Sequence, residues 1–87
     1  MEMDLEMGAL EMKVLEMLAE LCEDEVVKEN REVELFETGL IDSLVFAELL
    51  FEIEDRFKVV IAPSQVERKD MDTPQKIISL IRERVQG

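Results

Sequence analysis

The residues best suited to chemistry in this sequence are Asp42-Ser43-Leu44, where an acidic stretch gives way to an amphipathic run. From Leu44 to Phe57 the apolar residues Phe46, Ala47, Leu50, Ile53 and Phe57 recur at helical spacing, which predicts a helix with Ser43 at its N-terminus. Backbone N–H groups there have no intrahelical partner, and the positive end of the macrodipole faces them. A phosphate ester on the serine oxygen is therefore electrostatically welcome. A simpler role fits the same residues, because Asp and Ser are common helix N-caps. If Asp42 is the cap, Ser43 becomes the first helical residue and its hydroxyl is spare; Val45 and Phe46 leave no Glu or Gln to complete a capping box.

Catalysis of the ordinary kinds is poorly supplied. The chain has no His and one Cys, Cys22, so neither a Ser/His/Asp nor a Cys/His constellation can form, and neither a disulfide framework nor a Cys/His metal site is available. Gly8, Gly39 and Gly87 are too far apart for a phosphate-cradling loop. The expectation is a non-catalytic protein that is acted upon, with no metal site.

A chain of 87 residues holds one small domain. Leu10, Val14, Leu15, Met17, Leu18, Leu21 and Cys22 form an apolar stripe opposite Glu11, Lys13, Glu16 and Glu20, which predicts the first helix. Residues 1–9 are treated as an N-terminal extension of undecided structure, with Gly8 weakening any continuous helix, and residues 10–87 as the domain. Glu23 to Asp42 reads as a long ordered loop pinned by Val26, Val27, Val33, Leu35, Phe36, Leu40 and Ile41, a length that in compact domains is usually functional. Lys58 to Pro63 is β-branched but has no credible partner strand, so it is expected to be extended loop. Ser64 opens a short helix through Lys69, and Thr73-Pro74 a last helix through Val85, with Ile77, Ile78, Ile81 and Val85 facing the core. Three longer helices and one short one make a small all-α, four-helix bundle.

The formal charge of −12 is unevenly placed: residues 1–55 carry 18 acidic and 3 basic side chains, residues 56–87 carry 4 and 7. Such an acidic front repels nucleic acid and attracts basic protein patches, while Glu2, Glu6, Glu11 and Glu16 are read as solvated charges that keep the domain soluble. The Met-rich start is broken by Glu2, Asp4 and Glu6, which does not suit an export leader, and no apolar run reaches bilayer length. The expected location is cytoplasmic.

Phe36-Glu37-Thr38-Gly39-Leu40-Ile41-Asp42-Ser43-Leu44, followed by Glu48-Leu49-Leu50 and Phe57, resembles the acyl and peptidyl carrier proteins. Leu18-Ala19-Glu20, Val27-Lys28-Glu29-Asn30, Arg68-Lys69 and Asp72-Thr73-Pro74 with Lys76-Ile77-Ile78 extend the likeness to the D-alanyl carrier subfamily, from about Val14 to Ile81. The chain departs from that subfamily's pattern at Val45, Phe46, Val66 and Met71. The resemblance implies an acyl-carrier type bundle, monomeric, with 4′-phosphopantetheine from coenzyme A attached at Ser43 and Asp42 supporting the motif. It implies a D-alanyl thioester for teichoic acid D-alanylation in cell wall biogenesis. The implied partners are a phosphopantetheinyl transferase, an ATP-dependent D-alanine or acyl ligase and a membrane-bound acyltransferase. Leu44, Val45, Glu48, Phe51, Glu52 and Asp55 are the expected partner face, an exposed apolar centre with acidic surroundings. Two other readings stand beside this one: a specialised acyl carrier for fatty-acyl or secondary-metabolite synthesis, and an unmodified acidic adaptor domain.

Overall fold

Apolar residues three and four apart in the first quarter of the chain build α1, Glu2–Cys22, which buries Val14, Leu15, Met17, Leu18 and Ala19. The computed structural model describes residues 2–86, and side chains from 8 to 85 apart from residue 63. Residues 2–9 continue the first helix, whereas Met1 and the side chains of Glu2, Met3, Leu5, Glu6 and Met7 lie outside the described residues. Glu23, in the left-handed region at φ 54°, ends the helix, and the Asp24 N–H reaches back to the Ala19 carbonyl at 3.2 Å.

The long acidic connection is more ordered than a loop. It contains a single helical turn, α2, Val26–Glu29, which plants Val27 in the core. This is the short helix of the bundle, and it was not expected here. The short helix predicted from Ser64 to Lys69 is instead two separate 3₁₀ turns, Pro63–Gln65 and Arg68–Asp70, with Val66 and Glu67 extended between them. Lys58 closes α3 in the left-handed region at φ 59° rather than opening the extended run expected of it; Val59 to Ala62 follow without strand pairing, as expected, with Val59 and Ile61 buried and Val60 exposed.

Helix α3, Ser43–Phe57, and helix α4, Pro74–Gln86, pack with α2 against α1. The buried face of α3 carries Leu49, Leu50 and Ile53, with Phe46 and Phe57 at its edges. Ala47 was expected there but is exposed: it lies one residue, about 100° of helix rotation, beyond Phe46, whereas Leu49 lies three residues on and falls on the core stripe. In α4 the core takes Ile77, Ile78 and Ile81, but Val85 is exposed because the stripe outruns the core by one turn. Thr73 caps α4 as predicted, its hydroxyl accepting the Lys76 N–H at 3.2 Å ahead of Pro74.

One acid on α1 does more than solubilise. Glu11 is largely covered and accepts from Arg31 at 2.6 Å and Arg82 at 2.7 Å, tying α1 to the connection and to α4. Glu34 shows the opposite situation. Its carboxyl is raised above the ordinary carboxylate value, first by the neighbouring charge of Glu37.

Two outcomes are expected. Gly8 lies inside α1 and a methyl group added to it meets nothing within 4 Å, so Gly8→Ala should stabilise the domain by roughly 0.5–1 kcal/mol through helix propensity; a lowered denaturation midpoint would contradict a helix continuous through residue 8. A raised carboxyl pKa means the native state holds that proton more tightly than the unfolded chain, so the repulsion costs stability above the native pKa and is relieved below it. Glu34→Gln should therefore raise the thermal midpoint at pH 7 and lose that advantage as the pH falls through the carboxylate range. A gain independent of pH would show that the charges of Glu34 and Glu37 are not its cause.

Candidate functional site

Asp42 decides where α3 begins. Its backbone is extended, its Oδ1 accepts the Val45 N–H at 2.9 Å, and its carbonyl accepts the Phe46 N–H at 2.8 Å. Asp42 is thus the N-cap, and Ser43 is the first helical residue, exposed to solvent. Its hydroxyl is not consumed by capping.

The connection that delivers Asp42 is fixed from beneath. Leu35 and Ile41 are buried and joined by an Ile41 N–H to Leu35 carbonyl bond of 3.0 Å, and the Leu35 N–H bonds the Asp72 carbonyl at 2.8 Å. Thr38 donates its hydroxyl to the Glu34 carbonyl at 2.8 Å. Gly39 closes the turn at φ 82°, a conformation that any Cβ would strain.

A residue not singled out as a site residue from the sequence completes the arrangement. Arg68 Nη2 donates to Ser43 Oγ at 2.6 Å, from a position 25 residues away. Its guanidinium stands 5.2 Å from the centroid of the Phe36 ring, and Phe36 meets Phe46 edge to face with centroids 5.6 Å apart. Reciprocal bonds between Glu67 and Asp70 hold the turn that carries Arg68. The signal in the sequence was an arginine just before the Thr-Pro helix start, but no local spacing connects it with a serine in another element.

Of the expected partner face, Leu44 and Phe51 are 70% and 66% exposed, and Glu48 and Asp55 are exposed on the same side of α3. Val45 differs from expectation: it is half-buried against the core, one residue round the helix from Leu44. Glu52, which shares the side of Val45, is partly covered and bonded to Arg56 at 2.7 Å. The exposed apolar strip continues to Val60, beside a shallow groove lined by Phe51, Glu54, Asp55, Lys58 and Val60.

Chemically, the site offers an accessible primary alcohol beside a cation. Among the described residues Arg68 is the only hydrogen-bond partner of Ser43 Oγ, so no base on this chain is set to take its proton. The thiol of Cys22 is no rival nucleophile: half-burial, reinforced by the charge of Asp24, pushes it up to about 11, and it stays protonated at neutral pH. Among the described residues no cluster of His, Cys, Asp or Glu could hold a metal, and no helix is long and apolar enough to cross a membrane. An exposed alcohol with an adjacent guanidinium, at a helix start, fits a phosphodiester well.

Comparison with known proteins agrees with this geometry. Residues 13–81 match the family described as "Phosphopantetheine attachment site". The chain is similar to the D-alanyl carrier protein of Abiotrophia defectiva, 42% identical over 76 residues that make up 87% of this chain and 96% of the relative. It is also similar to the D-alanyl carrier protein of Bacillus subtilis (strain 168), 42% identical over 71 residues, 82% of this chain and 91% of the relative. That of Bacillus mycoides is 36% identical over 77 residues, covering 88% and 98% of the two chains.

Because Asp42 supplies the cap, Asp42→Ala should cost about 1 kcal/mol of stability, read as a lower denaturant midpoint with an unchanged slope. Asp42→Asn, which keeps an acceptor oxygen, should recover most of it. Equal losses in the two variants would show that the capping bond is not what Asp42 contributes.

Proposed function

The chain belongs to the phosphopantetheine attachment family, whose members bear 4′-phosphopantetheine covalently on a serine, and from that premise we propose that Ser43 is the attachment point and D-alanine the cargo. The observation that carries the first part is the exposed Ser43 hydroxyl, left spare by the Asp42 cap. The second part is supported by the relatives' name, D-alanyl carrier protein, together with matches that span 96% and 91% of those relatives.

In the attachment reaction Ser43 Oγ attacks the phosphorus of coenzyme A that bears the pantetheine. An O–P bond forms, the pyrophosphate P–O bond breaks, and 3′,5′-ADP leaves with the electron pair. The hydroxyl proton passes to a base supplied by the phosphopantetheinyl transferase, since among the described residues none stands against Oγ. Once attached, the group supplies a terminal thiol that holds an acyl group as a thioester. This protein contributes the mount: a rigid helix start, and a tether geometry that keeps the cargo at high effective concentration for each enzyme in turn.

A carrier of this family is served by a charging ligase and a receiving transferase; for this chain those are an ATP-dependent D-alanine ligase and a membrane-bound acyltransferase. Their docking surface is the outward side of α3, where Leu44 and Phe51 offer apolar anchors two turns apart and Glu48 and Asp55 supply charge. Val45 and Glu52 contribute less, because packing and the Arg56 bond already engage them. The acidic surface steers basic partners, which is an effect on association rate and falls with salt.

Incubated with coenzyme A and a broad-specificity phosphopantetheinyl transferase, the chain should gain the mass of one phosphopantetheinyl group, and Ser43→Ala none; no gain, or equal gain in the variant, overturns the assignment. The loaded chain should then accept D-alanine from a D-alanine ligase in preference to L-alanine and fatty acids, whereas preferential charging with a fatty acid would make it a fatty-acyl carrier. Glu48→Lys with Asp55→Lys should slow charging at low salt by roughly tenfold and flatten its salt dependence. Unchanged kinetics would move the docking surface elsewhere.

A further inference from the structure

Arg68 is set apart by its partner, the hydroxyl of Ser43; Lys13, Lys58 and Arg84 likewise have no carboxylate partner among the described residues. The sequence has 22 acidic side chains against 10 basic ones, yet among the described residues no carboxylate pairs with Arg68. Arg56, Arg31 and Arg82 each bond to glutamates. Arg68 instead donates to the neutral hydroxyl of Ser43 at 2.6 Å. A hydrogen bond to an exposed neutral acceptor stabilises a fold little, so the contact is a weak reason to hold a guanidinium there.

It is nevertheless held. The guanidinium stacks over Phe36, at 5.2 Å from the ring centroid, and Phe36 is in turn braced by Phe46. The turn beneath it is fixed by the Glu67–Asp70 exchange and by the Met71 N–H to Arg68 carbonyl bond of 3.0 Å. Stacking on an aromatic face leaves the edge of the fork free to donate, and that edge is aimed at the serine oxygen.

We infer that Arg68 is the ligand for the phosphodiester that Ser43 acquires, a positioning residue that fixes the root of the arm. The inference rests on the assignment of Ser43 above. Before attachment, Arg68 stabilises negative charge developing on Oγ and so eases loss of the hydroxyl proton. After attachment the phosphorus is bonded to the very oxygen that Arg68 already touches, so its non-bridging oxygens come within reach of a small rotation of the arginine side chain. The neutral hydrogen bond is then exchanged for a charge-assisted, fork-shaped one of about twice the strength. The first torsions of the arm are thereby restricted. A lysine, lacking the fork, replaces this only in part.

The test compares wild type, Arg68→Gln and Arg68→Lys, each prepared with and without the arm, with attachment verified by mass. The readouts are the shift in thermal midpoint on attachment and the ³¹P resonance of the phosphodiester. In wild type at low salt, attachment should raise the midpoint by about 4 °C, and added salt should shrink the gain. The gain should vanish in Arg68→Gln, fall to roughly half in Arg68→Lys, and the ³¹P resonance should move between wild type and Arg68→Gln. Each variant is referenced to its own unmodified form, so a merely structural effect of Arg68 cancels. The same gain and the same ³¹P shift in Arg68→Gln would overturn the role of Arg68 while leaving the carrier assignment intact; failure of Ser43 to take the arm in wild type would overturn both.

Discussion

A single hydrogen bond, from the Val45 N–H to Asp42 Oδ1, sets the register in which α3 begins. If Ser43 were the cap, its oxygen would be committed to a backbone donor and turned along the helix axis. With Asp42 in that role the serine is pushed one position into the helix, with its hydroxyl exposed and offered to whatever lies beside the helix start. What lies beside it is Arg68, presented from another element and steadied by Phe36. The neighbouring structure serves that placement: Leu35 and Ile41 anchor the approach, and Gly39 permits the turn.

The electrostatics of the chain divide in the same place. The acidic first two-thirds ends where α3 ends, and the basic remainder supplies Arg68 to the serine from across the fold. Most acids are solvated. A few are used locally, as with Glu11 between two arginines. The exposed apolar residues Leu44, Phe51 and Val60 lie on the side of the molecule that α3 turns outward, so the proposed tether root and the proposed docking surface share one helix. A partner that grips that helix also fixes the origin of the arm.

Much of this was legible before any coordinates. Periodicity gives the long helices because burial against one core imposes a 3.6-residue repeat, and Thr73-Pro74 marks a helix start through a mechanism that is purely local. The Asp-Ser order shows that Ser43 is spare if Asp42 caps; the Val45 N–H to Asp42 Oδ1 bond makes that choice. The misses have physical reasons. Helix α2 is a single turn in a charged stretch, too short for any periodicity to register. Ala47 enters the apolar periodicity of α3 by residue type although its angular position keeps it exposed, and Leu49 takes the buried place. Val45 was read as outward-facing although helix rotation carries it partly onto the core. Arg68 was missed because its contact with Ser43 is tertiary: nothing in a linear spacing of 25 residues records it.

The account stands on Ser43 being the residue that carries the arm. The most direct measurement is peptide mapping by tandem mass spectrometry of the chain after co-expression with a phosphopantetheinyl transferase. The modification should be found on the peptide containing Asp42-Ser43-Leu44 and localised to Ser43. Localisation to Ser64, Ser79 or any other hydroxyl, or an unmodified chain beside a fully modified control carrier, would contradict it.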